Sequence, residues 1–136
     1  MHPWANKYVG VEFEEKGRNH VGCDCWGLMR LILKEQFDVD LPDHVDDYKT
    51  TQDRHAIADI VEDDLPDWIK TMRPQCGDVV LLRCKGLPLH VGLMLNKKTM
   101  LHIQEGINAG TERLDSIVWK DRVMGYYRPR KMNHAT

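Results

Sequence analysis

The chain lacks any apolar stretch approaching the roughly 20 residues that span a bilayer, and its opening Met1-His2-Pro3-Trp4-Ala5-Asn6-Lys7 has no apolar signal core. No membrane span and no export address are expected. Charge of one sign is also missing: 19 basic against 21 acidic residues leave a formal charge of -2, so nothing drives the chain toward a phosphate backbone. Nucleic acid is therefore not an expected partner. The one basic run, Arg128-Pro129-Arg130-Lys131, reads as the start of a solvated tail covering 129–136. Cysteine is sparse, at positions 23, 25, 76 and 84. Cys23 and Cys25 stand too close to bridge well, so no disulfide scaffold is expected and a reducing compartment during synthesis fits. A Gly-rich phosphate loop, a Gly-x-Ser-x-Gly elbow, internal repeats and low-complexity segments are all missing.

What remains is a soluble globular composition. The 136 residues are 42% hydrophobic and 29% charged, enough apolar side chains for one core of ordinary size and one domain. From Cys25 to Phe37, apolar residues at 26, 28, 29, 31, 32 and 33 predict a largely buried helix, with Asp24 as its N-cap and Pro42 beyond its end. A second helix is predicted over about Asp53–Asp64, with a short helical turn after Pro66 around Trp68 and Ile69. From Gly77 the period changes. Asp78–Cys84, Leu89–Leu95, Thr99–Gln104 and Val123–Tyr127 are short β-rich runs separated by turn residues. The plan is α+β, with N-terminal helices followed by a meander of antiparallel strands and a core from about residue 8 to residue 127.

A thiol becomes a nucleophile at neutral pH when its pKa falls, and the unpaired N–H groups at a helix start can lower it. Cys25 occupies that position, whereas Cys23 precedes the cap. A base must come from elsewhere in the fold, on a rigid element and with a third group fixing its ring. His90 shares a strand face with Gly92 and Met94, and His102 shares one with Met100 and Gln104. A three-residue Asn96-Lys97-Lys98 loop would set Leu95 against Thr99 and His102 against Gly92. The two histidines would then be diagonal neighbours, roughly 7–8 Å apart at the backbone. Zinc is the rival use of such residues. Neither the Cys23/Cys25 nor the Cys76/Cys84 pair has the two-to-four-residue spacing of a zinc knuckle, so neither a metal nor another cofactor is expected.

These residues also carry a family likeness. Gly22-Cys23-Asp24-Cys25-Trp26-Gly27-Leu28 resembles the Asp-Cys-Ser-Gly-Leu nucleophile motif of the NlpC/P60 peptidases, with Trp26 at the commoner serine's place. Gly77-Asp78-Val79-Val80-Leu81-Leu82 resembles the family's Gly-Asp-Leu-Val-x-Phe, and Leu89-His90-Val91-Gly92-Leu93-Met94 its His-Val-Gly-Ile-Tyr. His102 follows His90 by twelve residues, where the family places its third catalytic residue. The resemblance covers about Tyr8 to Tyr127.

It implies a papain-like fold and a cysteine peptidase that hydrolyses peptidoglycan stem peptides through a thioester, usually at the D-glutamyl–diamino acid bond. Cys25 would attack, His90 would carry the proton and His102 would hold the His90 tautomer. The backbone N–H of Cys25 would donate to the oxyanion, with Asp24 and Trp26 flanking the substrate site. Many members carry a tyrosine twelve residues before the nucleophile; here Phe13 stands there and its hydroxyl is missing. The Cys-Trp-Gly-Leu variant and the Trp4…Tyr8-Val9-Gly10 opening are similar to the phage and gene-transfer-agent branch. That branch implies tail-tip or baseplate partners, assembly in the host cytoplasm and action at the cell wall. Two alternatives accompany it: a chain trimmed of its signal, and a structural tail plug that keeps the fold without needing catalysis.

Overall fold

A computed structural model describes residues 2–44, 67–84 and 87–132. The segment predicted as a second helix, Asp53–Asp64, lies outside the described residues. Within them, nine strands accompany one α-helix. Three two-residue strands, β1 (Glu12–Phe13), β2 (Arg18–Asn19) and β3 (Gly22–Cys23), form a small sheet in the order β1-β3-β2. The helix α1 (Cys25–Phe37) follows directly. A six-stranded antiparallel sheet comes next: β4 (Trp68–Thr71), β5 (Val79–Cys84), β6 (Leu87–Met94), β7 (Thr99–Gln104), β8 (Ile107–Arg113) and β9 (Val123–Pro129), ordered β4-β9-β5-β6-β7-β8.

The helix starts where its sequence says it should. Asp24 takes an extended backbone, and its carboxylate accepts the Gly27 N–H at 2.9 Å, satisfying one of the donors that a helix start leaves unpaired. At the other end Asp38 adopts the left-handed conformation, and its N–H closes the last turn on the Leu33 carbonyl. Cys25, Trp26, Leu28, Met29, Ile32 and Leu33 are buried. They pack on Val79, Leu81, Val91, Leu93, Leu101 and Ile103 of the large sheet to make the main core. Gly27 is required at this docking: a Cβ there would stand 2.0 Å from the Gly17 carbonyl oxygen, so the first helical turn lies directly on the loop before β2.

The reverse face of the sheet holds a second core of Val80, Leu82, Met94, Met100, Leu114 and Trp119. The β6–β7 hairpin follows the predicted register, with the Leu95 N–H donating to the Thr99 carbonyl at 2.8 Å and Leu93 paired with Leu101.

Two local expectations change. Trp68 and Ile69 belong to a strand and not to a helical turn, because β9 offers β4 a paired edge from Trp68↔Pro129 to Thr71↔Tyr126 while Trp68 buries its ring. Arg128 is not part of a solvated end. Its guanidinium donates twice to the fully buried Asp78 carboxylate, at 2.7 and 2.8 Å, and Asp78 also accepts the Gln75 N–H. Beyond it, Met132 is buried and Lys131 donates to the Asp40 carbonyl. Because removing one partner of a buried pair strands the other charge, Arg128→Met is expected to cost about 3 kcal/mol in urea unfolding; a loss below about 1 kcal/mol would show that the pair is dispensable.

Candidate active site

Asp24 sets the position of Cys25 by holding three donors at once. Its buried carboxylate accepts the Gly27 N–H, the Lys16 N–H at 2.9 Å and Arg18 Nη1 at 2.8 Å. These contacts tie β2, the preceding loop and the helix start together, so Asp24 acts as cap and brace at the helix start. Trp26 is buried, 8% exposed as a residue, with its Nε1 donating to the Pro42 carbonyl at 2.9 Å and its ring in a T-shaped contact with His44. Phe13 is half-buried, paired with Cys23 across β1 and β3 and packed against the main core.

Cys25, the first residue of α1, is 9% exposed. Its sulfur accepts hydrogen bonds from the backbone N–H groups of Val91 and Trp26. The Val91 bond brings the sulfur onto β6 one residue after His90. Burial pushes the thiol up to about 12, the Asp24 charge adds to this, and the two N–H groups and Arg18 oppose it. The expected lowering by the helix start is therefore outweighed by desolvation in this closed site.

Three polar side chains step diagonally across three strands. His90 on β6 and His102 on β7 are buried, with His90 Nε2 and His102 Nδ1 2.8 Å apart. His102 Nε2 lies 2.5 Å from Glu112 Oε2 on β8. Met100, not His102, is the direct partner of Glu112, and His102 faces Gly110. The step from β7 to β8 is thus the same diagonal as the step from β6 to β7. Gly92 makes room for the arrangement, since a Cβ there would lie 3.4 Å from the His102 Cβ and 2.8 Å from Met100 Sδ.

Trp119, from the connection between β8 and β9, encloses both imidazoles. Its ring stacks on His90 with centroids 5.8 Å apart and meets His102 edge-on at 5.3 Å. The Arg122 guanidinium lies over the same indole at 5.3 Å. Burial, then the neighbouring His102 and then Arg122 press His90 down to about 3. His102 is lowered by burial against the opposing pull of Glu112. Burial thus acts against charge on both groups, leaving the Cys25 thiol and the His90 imidazole neutral at neutral pH.

Sequence reasoning brought forward Cys25, His90 and His102 but missed Glu112 and Trp119. The run Ile107-Asn-Ala-Gly-Thr-Glu-Arg113 has too few apolar residues to declare a strand. Counting the diagonal one strand further would have reached Glu112 once β8 was placed.

A thiol opening a buried helix against an antiparallel sheet that carries two joined imidazoles defines the papain-like α+β class. The NlpC/P60 family model matches residues 10–128, and the chain belongs to that family. It is 23% identical over 115 residues to the Escherichia coli K12 murein DD-endopeptidase MepS/murein LD-carboxypeptidase, covering 85% of this chain and 54% of that protein. The chain thus spans about half the length of that relative. Among solved structures it resembles the NlpC/p60 domain of the peptidoglycan hydrolase SagA, with TM-score 0.62, 17% identity and 90% of each chain covered. It also resembles an NlpC/P60 family protein from Bacillus cereus ATCC 10987, with TM-score 0.63, 17% identity, and 95% of this chain and 41% of that one covered.

The depressed His90 pKa makes stability sensitive to acid. Unfolded, the ring titrates near 6.5, whereas folded it titrates near 3. As pH falls below about 6.5 the unfolded chain gains a proton that the folded chain refuses, so stability is full above that value and declines toward pH 3. The slope from this group reaches about 1.4 kcal/mol per pH unit. In thermal melts across pH 3–7, His90→Asn should shallow the acid limb without flattening it, because His102 is also lowered. An unchanged limb would mean that His90 is already protonated in the folded protein.

Proposed function

We propose that the protein is a cysteine peptidase that cleaves peptidoglycan stem peptides at the D-glutamyl–diamino acid bond. The observation that carries this reading is the Cys25 sulfur on the Val91 N–H, one residue from a buried His90 whose Nε2 lies 2.8 Å from His102. The E. coli relative's name, a murein endopeptidase and carboxypeptidase, supports the substrate class.

In this mechanism the Cys25 sulfur attacks the peptide carbonyl while His90 takes the thiol proton. The oxyanion is met by the backbone N–H of Cys25 at the helix start. Collapse breaks the C–N bond, His90 returns its proton to the departing amine, and a thioester remains on Cys25. Water, deprotonated by His90, then attacks the thioester, releasing the carboxylate and restoring the thiol. His102 holds the His90 ring during both half-reactions. Phe13 brings no hydroxyl, so backbone donors carry the oxyanion alone on that side.

Within this reading the chain serves at the tail tip of a phage or gene-transfer-agent particle, assembled in the host cytoplasm with baseplate partners and acting at the cell wall. Cys25-Trp26-Gly27-Leu28 and the Trp4…Tyr8-Val9-Gly10 opening support it. Trp4 there packs edge-on against Tyr8 and Phe37, anchoring the opening to the far end of α1. The buried, high-pKa thiol favours the second reading, a structural tail plug that keeps the fold without catalysis.

Purified sacculi incubated with the protein should release muropeptides whose masses identify the cut bond, and Cys25→Ala should reduce release by at least about 1,000-fold. Sacculi left intact by the native protein would overturn the hydrolase reading; particles that stay infectious with Cys25→Ala would favour the plug.

A further inference from the structure

We infer that Glu112 is a positioning residue that fixes the tautomers of both histidines, so that Nδ1 of His90 carries the lone pair used for proton transfer. The inference rests on the proposed cysteine-peptidase reading for its kinetic consequence, but its structural content stands independently of it.

An ionised carboxylate only accepts, so its bond at 2.5 Å requires the proton on His102 Nε2. A neutral imidazole has one N–H, which leaves His102 Nδ1 as an acceptor. That atom lies 2.8 Å from His90 Nε2, so His90 must place its own proton on Nε2 and donate it. His90 Nδ1 is then bare. Without the carboxylate, His102 could as well hold its proton on Nδ1 and donate to His90, which would move the His90 proton to Nδ1 and remove the base. A third residue with a fixed acceptor, such as asparagine with its amide oxygen turned to His90, needs no such support. A histidine in that place presents either a donor or an acceptor and needs something beyond it to choose.

The placement of Glu112 suits this task. It extends the His90–His102 diagonal by one strand, with Gly110 opposite His102 leaving the approach open. Its side chain is 45% exposed while the His102 side chain is 5% exposed, so the charge keeps solvent on one side and its hydrogen bond points inward on the other. Trp119 restricts both rings by stacking and edge contact, but an indole face does not distinguish the two tautomers. That choice falls to Glu112.

Two measurements test the inference. Long-range 1H–15N NMR of the imidazoles near pH 7 should show His90 and His102 both as Nε2–H tautomers in the native protein, and mixed tautomers in Glu112→Gln. His90 protonated on Nδ1 in the native protein, or unchanged rings in the variant, would overturn it. In sacculus digestion, Glu112→Gln should lower kcat by about 10- to 100-fold with KM within about twofold. The same substitution in a His102→Asn background should change kcat by less than about twofold. An equal loss in both backgrounds would make Glu112 a support of β8 alone and overturn the inference. If the native protein leaves sacculi intact yet both rings are Nε2–H and respond to Glu112→Gln, the tautomer assignment is supported and only the hydrolase reading fails.

Discussion

The buried carboxylate of Asp24 is the constraint on which the site depends. It begins α1 by accepting the Gly27 N–H, and it fixes the loop below through the Lys16 N–H and the Arg18 guanidinium. Because Gly17 lies directly against Gly27, loop and helix can close on each other only while this carboxylate holds both. The cysteine is the next residue, so the same contacts set where its sulfur points. They also have an electrostatic cost, since a fixed negative charge beside the thiol disfavours the thiolate. Asp24 thus fixes Cys25 in place and adds to the burial that already raises its thiol.

That coupling shapes the chemistry. A standing thiolate–imidazolium pair would need the closed site to tolerate two charges, yet burial acts against charge on both partners, raising the thiol and lowering His90. In the proposed mechanism the two groups rest neutral, and the proton moves as the sulfur attacks. In such a site the direction of the imidazole lone pair matters more than its basicity, because a ring with the wrong nitrogen protonated offers nothing to the thiol. This is why the order of the His90–His102–Glu112 chain has more consequence here than it would beside a preformed thiolate.

The parts legible in the sequence were those with local causes. Asp24 followed by an apolar run announced α1, and it begins and ends at the predicted residues. The three-residue hairpin loop put His90 and His102 on one face as diagonal neighbours, and their ring nitrogens meet. What escaped depended on distant partners. β4 is a strand because β9 pairs with it from more than fifty residues away, and nothing in Trp68–Thr71 says so. Arg128 looked like part of a charged end because its partner Asp78 lies fifty residues earlier. β8 failed to show because Asn108, Gly110, Thr111 and Glu112 are weak strand formers held by pairing with β7 on one side and by Gly10 and Val11 at Ala109 on the other.

The geometry of the sheet explains why a polar line can run through an otherwise apolar structure. Each face of a strand presents alternate residues, and diagonal neighbours on adjacent strands remain in reach of long side chains. A row that moves two residues along at every strand therefore stays on one face and drifts toward the margin. Beginning at His90, under Trp119, it passes through His102 and arrives at Glu112 on the last strand of the sheet, where a carboxylate can stay hydrated. A carboxylate placed directly opposite His102, at Gly110, would sit two residues earlier in β8 and off this diagonal. The edge position lets an ion act on two buried neutral rings without itself being taken out of water, which is the costly step in any buried charge.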